Sequence, residues 1–206
     1  MCGRFAQHWE VSAWNEVWPA QWRVQGHNPR YNVAPGTFIL AIGHDHVDQT
    51  AGGLIHWGLK TPRGFLINAR SETVATRPTF RAMLAHGRVV IPMNGYYEWH
   101  RKSRIPYYIY GNDPLWTLGL AQKTSQGSQA VILTRDPTDA LAAIHARMPM
   151  IVTRDLAEAW LCRSEPRYQA VLDSALGATP ELSWYAISSR VNKSMNDGPD
   201  LIAPTP

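Results

Sequence analysis

The sequence predicts an α+β domain: a mixed, largely antiparallel sheet or open barrel with peripheral helices. Segments with strand character outnumber those with helical periodicity, and most of them neighbour one another along the chain. With 206 residues, 45% of them hydrophobic, the chain is the size of one ample domain and can bury a core without disulfides or metals.

The elements follow in order. Trp9, Ala13, Trp14, Val17 and Trp18 recur at helical spacing, which predicts a helix over 8–18 closed by Pro19. YNVAPG reads as a short strand running into a proline turn. TFILAIG and GGLIHWGL read as a hairpin with the polar tip HDHVDQ. After FLINAR, SETVATRPTFRAMLAHG is a broken helical stretch ending at Gly87. RVVIPM, GYYEWH and PYYIY are consecutive strands, the last two joined by the basic turn RKSRI, and LWTLGLA and QAVILT continue the pattern. Asp136-Pro137 has the form of an N-cap followed by proline at the first helical position. It predicts a helix through DPTDALAAIHAR that stops before Pro149. TRDLAEAWL begins another helix, and SWYAIS is a late strand. NDGPDLIAPTP reads as a disordered polar tail from about residue 195. One domain is expected over 1–206.

Composition narrows the function classes. Two cysteines cannot build a secreted disulfide framework, and the N-terminus has no basic segment followed by an apolar run. The longest apolar runs, such as GRVVIPM, fall short of the ~20 residues that span a bilayer. The expectation is a soluble, cytoplasmic monomer with no membrane partner. Net charge is only +4, yet residues 60–104 carry nine basic side chains against Glu72 and Glu98, and sixteen of the twenty basic residues are arginine. Arginine's planar fork pairs bidentately with phosphate, so this segment is either a solvated basic face or the footprint of an anionic partner, nucleic acid first among them.

Common signatures of nucleotide, serine-hydrolase and structural-zinc chemistry are absent: no GxGxxG, P-loop, GxSxG or CxxC. His44 and His46 suit a polar hairpin tip as well as a metal, so no metal and no cofactor is assigned. Cys2 stands apart. Removal of Met1 would leave an α-amine and a thiol on adjacent carbons, with reference pKa values of ~7.7–8.0 and ~8.5. Such a pair can trap an aldehyde, the amine forming a Schiff base and the thiol closing a five-membered thiazolidine. A buried small hydrophobe accounts for Cys2 equally well at this point. In GYYEWH, strand alternation puts Tyr96 and Glu98 on one face, and Tyr97 and Trp99 on the other. A carboxylate among aromatic rings is a candidate general acid, or else an edge-strand glutamate. Taken alone, His145 reads as a core or helix-capping histidine, Asn68 as a turn residue, and Arg70 and Arg147 as surface charges.

Together these segments resemble a family. MCGR, YNVAPG, WGL before LINARSET, GYYEW, IHARMP and SSRVN occur in the order found in the SRAP, or abasic-site-processing, family, from residue 2 to about residue 193. Bacterial members have carried the label SOS-response-associated peptidase. The resemblance implies recognition of abasic sites in single-stranded DNA and covalent attachment through an N-terminal cysteine, with lyase and self-processing peptidase activity as further expectations. It implies that the protein is cytoplasmic and nucleoid-associated when bound to DNA. Carried over by position, Cys2 is the nucleophile, Asn68 bonds the opened sugar, and Glu98 is the acid/base in ring opening and in adduct reversal. His145 assists proton transfer and strand scission. Arg4, Arg70 and Arg147 hold phosphates, and Pro35 and Trp99 belong to the surface on which bases or sugar pack.

The chain departs from the family at three places. Ala146 stands where an acidic residue usually follows the histidine, and Met93-Asn94 where Ala-Asp is common. The shorter KTPRGFL lacks the tryptophans that relatives carry between WG and NAR, leaving Phe65 as the substitute for a base-stacking wedge. Two rival classes remain: an N-terminal-nucleophile amidohydrolase, which would share Cys2, and a non-catalytic single-stranded DNA-binding module, which would need the arginines alone.

Overall fold

The computed structural model describes residues 2–24, 27–45, 49–62, 64–162 and 168–205. At its centre, five strands close into a ring. Gly127–Arg135 pairs with Leu115–Thr124, then come Arg88–Met93, Phe38–His44 and Thr50–Trp57. These neighbours are antiparallel. Thr50–Trp57 then returns to Gly127–Arg135 in parallel, through Gln129↔His56 and Ala130↔Trp57, and closes the barrel. The architecture is the mixed α+β arrangement the sequence predicts. The parallel seam joins segments too distant in sequence for their own pattern to announce it.

Arg88–Met93 is buried along its whole length, which suits an uninterrupted apolar run with Arg88 at its head. Arg88 survives burial because its guanidinium donates to the carbonyls of Leu84, Trp160 and Cys162 at 2.6–2.7 Å. Those carbonyls close the Pro78–His86 and Arg154–Leu161 helices, so the arginine caps two helix ends at once. These helices pack with Trp14, Trp18, Leu118 and Trp160 in one core cluster.

A second, antiparallel sheet runs Ser183–Ala186, Pro106–Tyr110, Gly95–Trp99, Phe5–Gln7, Arg30–Val33. Its apolar face joins the barrel in a core that includes Cys2, Phe5, Trp57, Met93, Tyr96 and Ile144. Tyr97 and Trp99 face the other way, into a cluster with Tyr108, Ile187 and Val191. The alternation expected for GYYEW therefore holds.

Three expectations are corrected. The helix after Asp136-Pro137 covers only Asp139–Ala142, with Thr138 at its N-cap, because the Asp136 carboxylate is taken by Arg147 at 2.6 Å. His145 consequently lies beyond that helix. Asn68 sits in a short strand, Asn68–Arg70, paired in parallel with the barrel through Ile132↔Asn68, where a turn was expected. The C-terminal segment is ordered: Val191 and Leu201 are fully buried in two short 3-10 turns, Ser189–Asn192 and Pro199–Ile202. Buried Asn32 explains why, since its Nδ2 donates to the carbonyls of Val191, Lys193 and Asn196. Met1, Arg63 and the hairpin-tip His46 lie outside the described residues.

Candidate active site

The site forms where the N-terminal strand meets the Gly95–Trp99 strand. Phe5 pairs with Tyr96, and the Tyr97 N–H donates to the Arg4 carbonyl at 2.9 Å. The chain leading into Phe5 brings Cys2 within reach of the Glu98 charge. Cys2 is fully buried. Burial, and then the charge of Glu98, push its thiol well above the ordinary cysteine range. Glu98 is itself only 3% exposed, and burial pushes its carboxyl up to about 7. A carboxyl poised there can both give and take a proton near neutrality.

Asn68 approaches from the barrel. Its Nδ2 donates to the Cys2 carbonyl at 2.9 Å, which fixes the amide orientation, and its Oδ1 is buried without a partner among the described residues. His145 comes from the turn after Asp139–Ala142, and its Nδ1 lies 3.7 Å from Glu98 Oε2. Burial, followed among the described groups by the backbone of Arg147 and the charges of Arg101 and Arg104, sets the basicity of His145, with a net lowering. Cys2, Asn68, Glu98 and His145, contributed by four separate segments, thus converge on one point. A groove of about 360 Å³ opens beside Asn68 and is lined by Arg70, Thr73, Arg77, Phe80 and Thr134. A larger hollow of about 560 Å³ around His44, His86 and Lys123 contains none of the four.

The other expected residues fall into two groups. Arg70 is exposed at the groove, as is Arg77, which the sequence reading did not single out. Arg4 is half-buried and tied to the fold, its Nη1 donating to Asn32 Oδ1 and to the Val191 carbonyl at 2.8 Å each. Arg147 is likewise engaged, by Glu72, Asp136 and the Thr134 carbonyl. Trp99 is partly exposed and donates from its indole to Asn192 Oδ1 at 2.7 Å. Pro35 occupies a partly exposed turn before Gly36, and the hydrogen bonds and groove of the site do not include it. Phe65 is 44% exposed and lies over Gly58, where a Cβ would meet its ring at 2.0 Å and φ is +122°. Of the basic segment, Lys60, Arg70, Arg77, Arg81, Arg101, Lys102 and Arg104 are exposed, while Arg88 is structural. The roles of Asn192, Glu72 and Asp136 were not legible beforehand, since their partners lie 11 to 93 positions away.

A buried N-terminal cysteine beside a carboxyl of raised pKa, an asparagine and a histidine, all mounted on a strand barrel, defines a class. The chain belongs to the SOS response associated peptidase (SRAP) family, whose model matches residues 1–194. Among similar proteins is the abasic site processing protein YoqW of Bacillus subtilis, 34% identical over 98% of this chain and 99% of its own. YedK of Escherichia coli, also described as an abasic site processing protein, is 32% identical over 85% of this chain and 84% of its own. A crystal structure of a phage-related protein of Bordetella bronchiseptica matches with a TM-score of 0.75 at 29% identity, covering 91% of this chain and 95% of that one. A protein from Bacteroides thetaiotaomicron, at TM-score 0.81 and 22% identity over 99% of this chain and 100% of that one, shares the fold. No helix among the described residues is long and apolar enough to cross a membrane.

Proposed function

We propose that this protein recognises an abasic site in single-stranded DNA and joins it covalently through Cys2 once Met1 has been removed. The observation that carries the reading is the convergence of Asn68, Glu98 and His145 on Cys2, with Asn68 gripping the Cys2 carbonyl directly. The names of the relatives point the same way.

The order of steps follows from the two nucleophiles. The thiol is held protonated by burial, so the α-amine freed by Met1 removal attacks first, at the aldehyde carbon of the ring-opened sugar. Protonated Glu98 gives its proton to the departing hydroxyl, water leaves, and a Schiff base remains. The Cys2 sulfur then adds to the imine carbon while its proton passes to the Glu98 carboxylate, closing the thiazolidine. One water is released overall and Glu98 is regenerated. Asn68 Oδ1 accepts a hydrogen bond from a sugar hydroxyl. His145 serves proton transfer in adduct reversal and in β-elimination of the strand, which is the lyase activity. Arg70 holds a backbone phosphate, with Arg4 and Arg147 behind it, and Trp99 and Pro35 supply packing surface. A peptidase activity on the protein's own N-terminus would supply the free amine that this chemistry requires.

The test is a heat-stable adduct between purified protein and a single strand carrying an abasic site, with Cys2→Ala as the control. Cys2→Ala is expected to abolish the adduct. If it crosslinks as well as wild type without borohydride, the thiazolidine route is wrong. Equal binding of an undamaged strand, with no adduct, would favour a plain binding module. Intact mass comes first: a mature protein that keeps Met1 removes the aminothiol.

A further inference from the structure

Arg147 works in two directions. Its side chain is engaged at both terminal nitrogens. Nη1 donates to Glu72 Oε1 at 2.5 Å and Asp136 Oδ1 at 2.6 Å, and Nη2 donates to Glu72 Oε2 at 2.9 Å and the Thr134 carbonyl at 2.7 Å. Its main chain meets the ring of His145: the Arg147 N–H lies 3.1 Å from Nδ1, and the Arg147 carbonyl oxygen 3.2 Å from the same nitrogen. A neutral imidazole protonated on Nε2 accepts that N–H through Nδ1. An imidazolium donates from Nδ1 to that carbonyl. One residue's backbone therefore offers a partner to each protonation state.

We propose that Glu72 is a positioning residue: by forking onto Arg147 it fixes the Arg147 backbone as a two-sided socket in which His145 gains and loses a proton without moving its ring. This rests on the reading of His145 as a proton carrier given above.

The clamp ties together three segments that the site depends on. Glu72 lies in the first turn of Ser71–Val74, directly after the Asn68–Arg70 strand. Thr134 and Asp136 lie at and just past the end of the barrel strand Gly127–Arg135. Arg147 closes the turn that carries His145. The fork thus sets the spacing between the Asn68 and His145 segments. Ala146, exposed between His145 and Arg147, has no side-chain donor or acceptor with which to orient the ring. Among the described residues, the charged groups facing His145 from other segments are Glu98, at 3.7 Å, and Arg101 and Arg104 from the turn after the Glu98 strand. Burial and the two arginines disfavour the charged ring, whereas the Arg147 backbone favours it. A bidentate fork between guanidinium and carboxylate is among the more rigid side-chain links, which suits a positioning task.

The test is made on DNA-free protein, by long-range proton–nitrogen correlation of the His145 imidazole across pH 5–9, assigned by comparison with His145→Gln. Wild type should show a single Nε2–H tautomer when neutral. In Glu72→Ala the Nδ1 signal should move toward the two-tautomer average, with a displaced titration midpoint. Glu72→Gln, which keeps one acceptor, should fall between. Strand scission should slow about tenfold in Glu72→Ala, part of the ~10²–10⁴ that a positioned acid–base group supplies, with its pH profile displaced in step. A folded Glu72→Ala whose His145 tautomer and midpoint match wild type overturns the proposal. If that variant does not fold, the same signals in Glu72→Gln decide it, unchanged signals again counting against. Signals that respond in a protein forming no abasic adduct would uphold the socket and remove the proposed function. Adduct formation with unresponsive signals would do the reverse.

Discussion

Replacing Glu98 by glutamine should make the protein more stable, and only at neutral to alkaline pH. Folded, Glu98 keeps its proton up to about pH 7; in the unfolded chain it releases it near 4.5. Below pH 4.5 both states are protonated and the native state bears no charge penalty at this position. Between 4.5 and 7 the native state holds a proton that the unfolded state has lost, so stability falls as pH rises. Above 7 a buried carboxylate must be accommodated and the loss is complete. At about 1.4 kcal/mol per pH unit, the window is worth about 3 kcal/mol. Glutamine has the same shape and never ionises, so Glu98→Gln should lack this decline. At pH 8.5 it should exceed wild type by up to about 3 kcal/mol, or roughly 6–12 °C in Tm for a domain of this size. At pH 4.5 the two should converge. Thermal unfolding of both proteins at the two pH values is the assay, since groups remote from Glu98 are common to both and cancel. Equal Tm values at pH 8.5, or a gap of the same size at both, would refute the argument. The stabilised variant should also have lost adduct formation, a trade of stability against activity at a single atom.

Two further outcomes follow from the same geometry. Arg70→Ala should weaken binding to single-stranded DNA and flatten the log–log dependence of affinity on salt by about 0.7, one phosphate contact's share; an unchanged slope in a salt titration would take Arg70 off the phosphate backbone. Gly95→Ala should cost about 1–3 kcal/mol in urea unfolding, because the added Cβ would lie 2.4–2.6 Å from the ring of Tyr108, which is packed against Tyr97, Tyr110 and Tyr185. Undiminished stability there would mean the ring yields freely.

What could be read from the sequence was whatever a short window encodes. GYYEW states its own alternation, and the structure puts Tyr96 and Glu98 on the Cys2 side and Tyr97 and Trp99 on the other. RVVIPM and the Phe38–His44 hairpin partner follow from apolar runs bounded by turns. The convergence of the four site residues was legible only through several motifs in a fixed order. The misreadings share one cause, a side chain whose partner is far away. Asp136 looked like a helix cap, but its carboxylate is bound by Arg147, so the helix begins later and is shorter. NDGPDLIAPTP looked solvated because its polar residues hide what holds it: Asn32, more than 150 positions upstream, and the burial of Leu201.

The bond from Arg4 to the Val191 carbonyl joins residues 187 positions apart, and Trp99 reaches Asn192 from the same stretch. Chain order therefore makes Cys2 the earliest part of the site to be synthesised and its brace the latest. Contacts of such sequence separation close slowly in folding. A nascent chain exposes its first residues long before the segment that locks them down exists, an interval that the proposed removal of Met1 would use. A chain cut near residue 188 would retain all four proposed reactive side chains and still lack the brace beneath two of their neighbours.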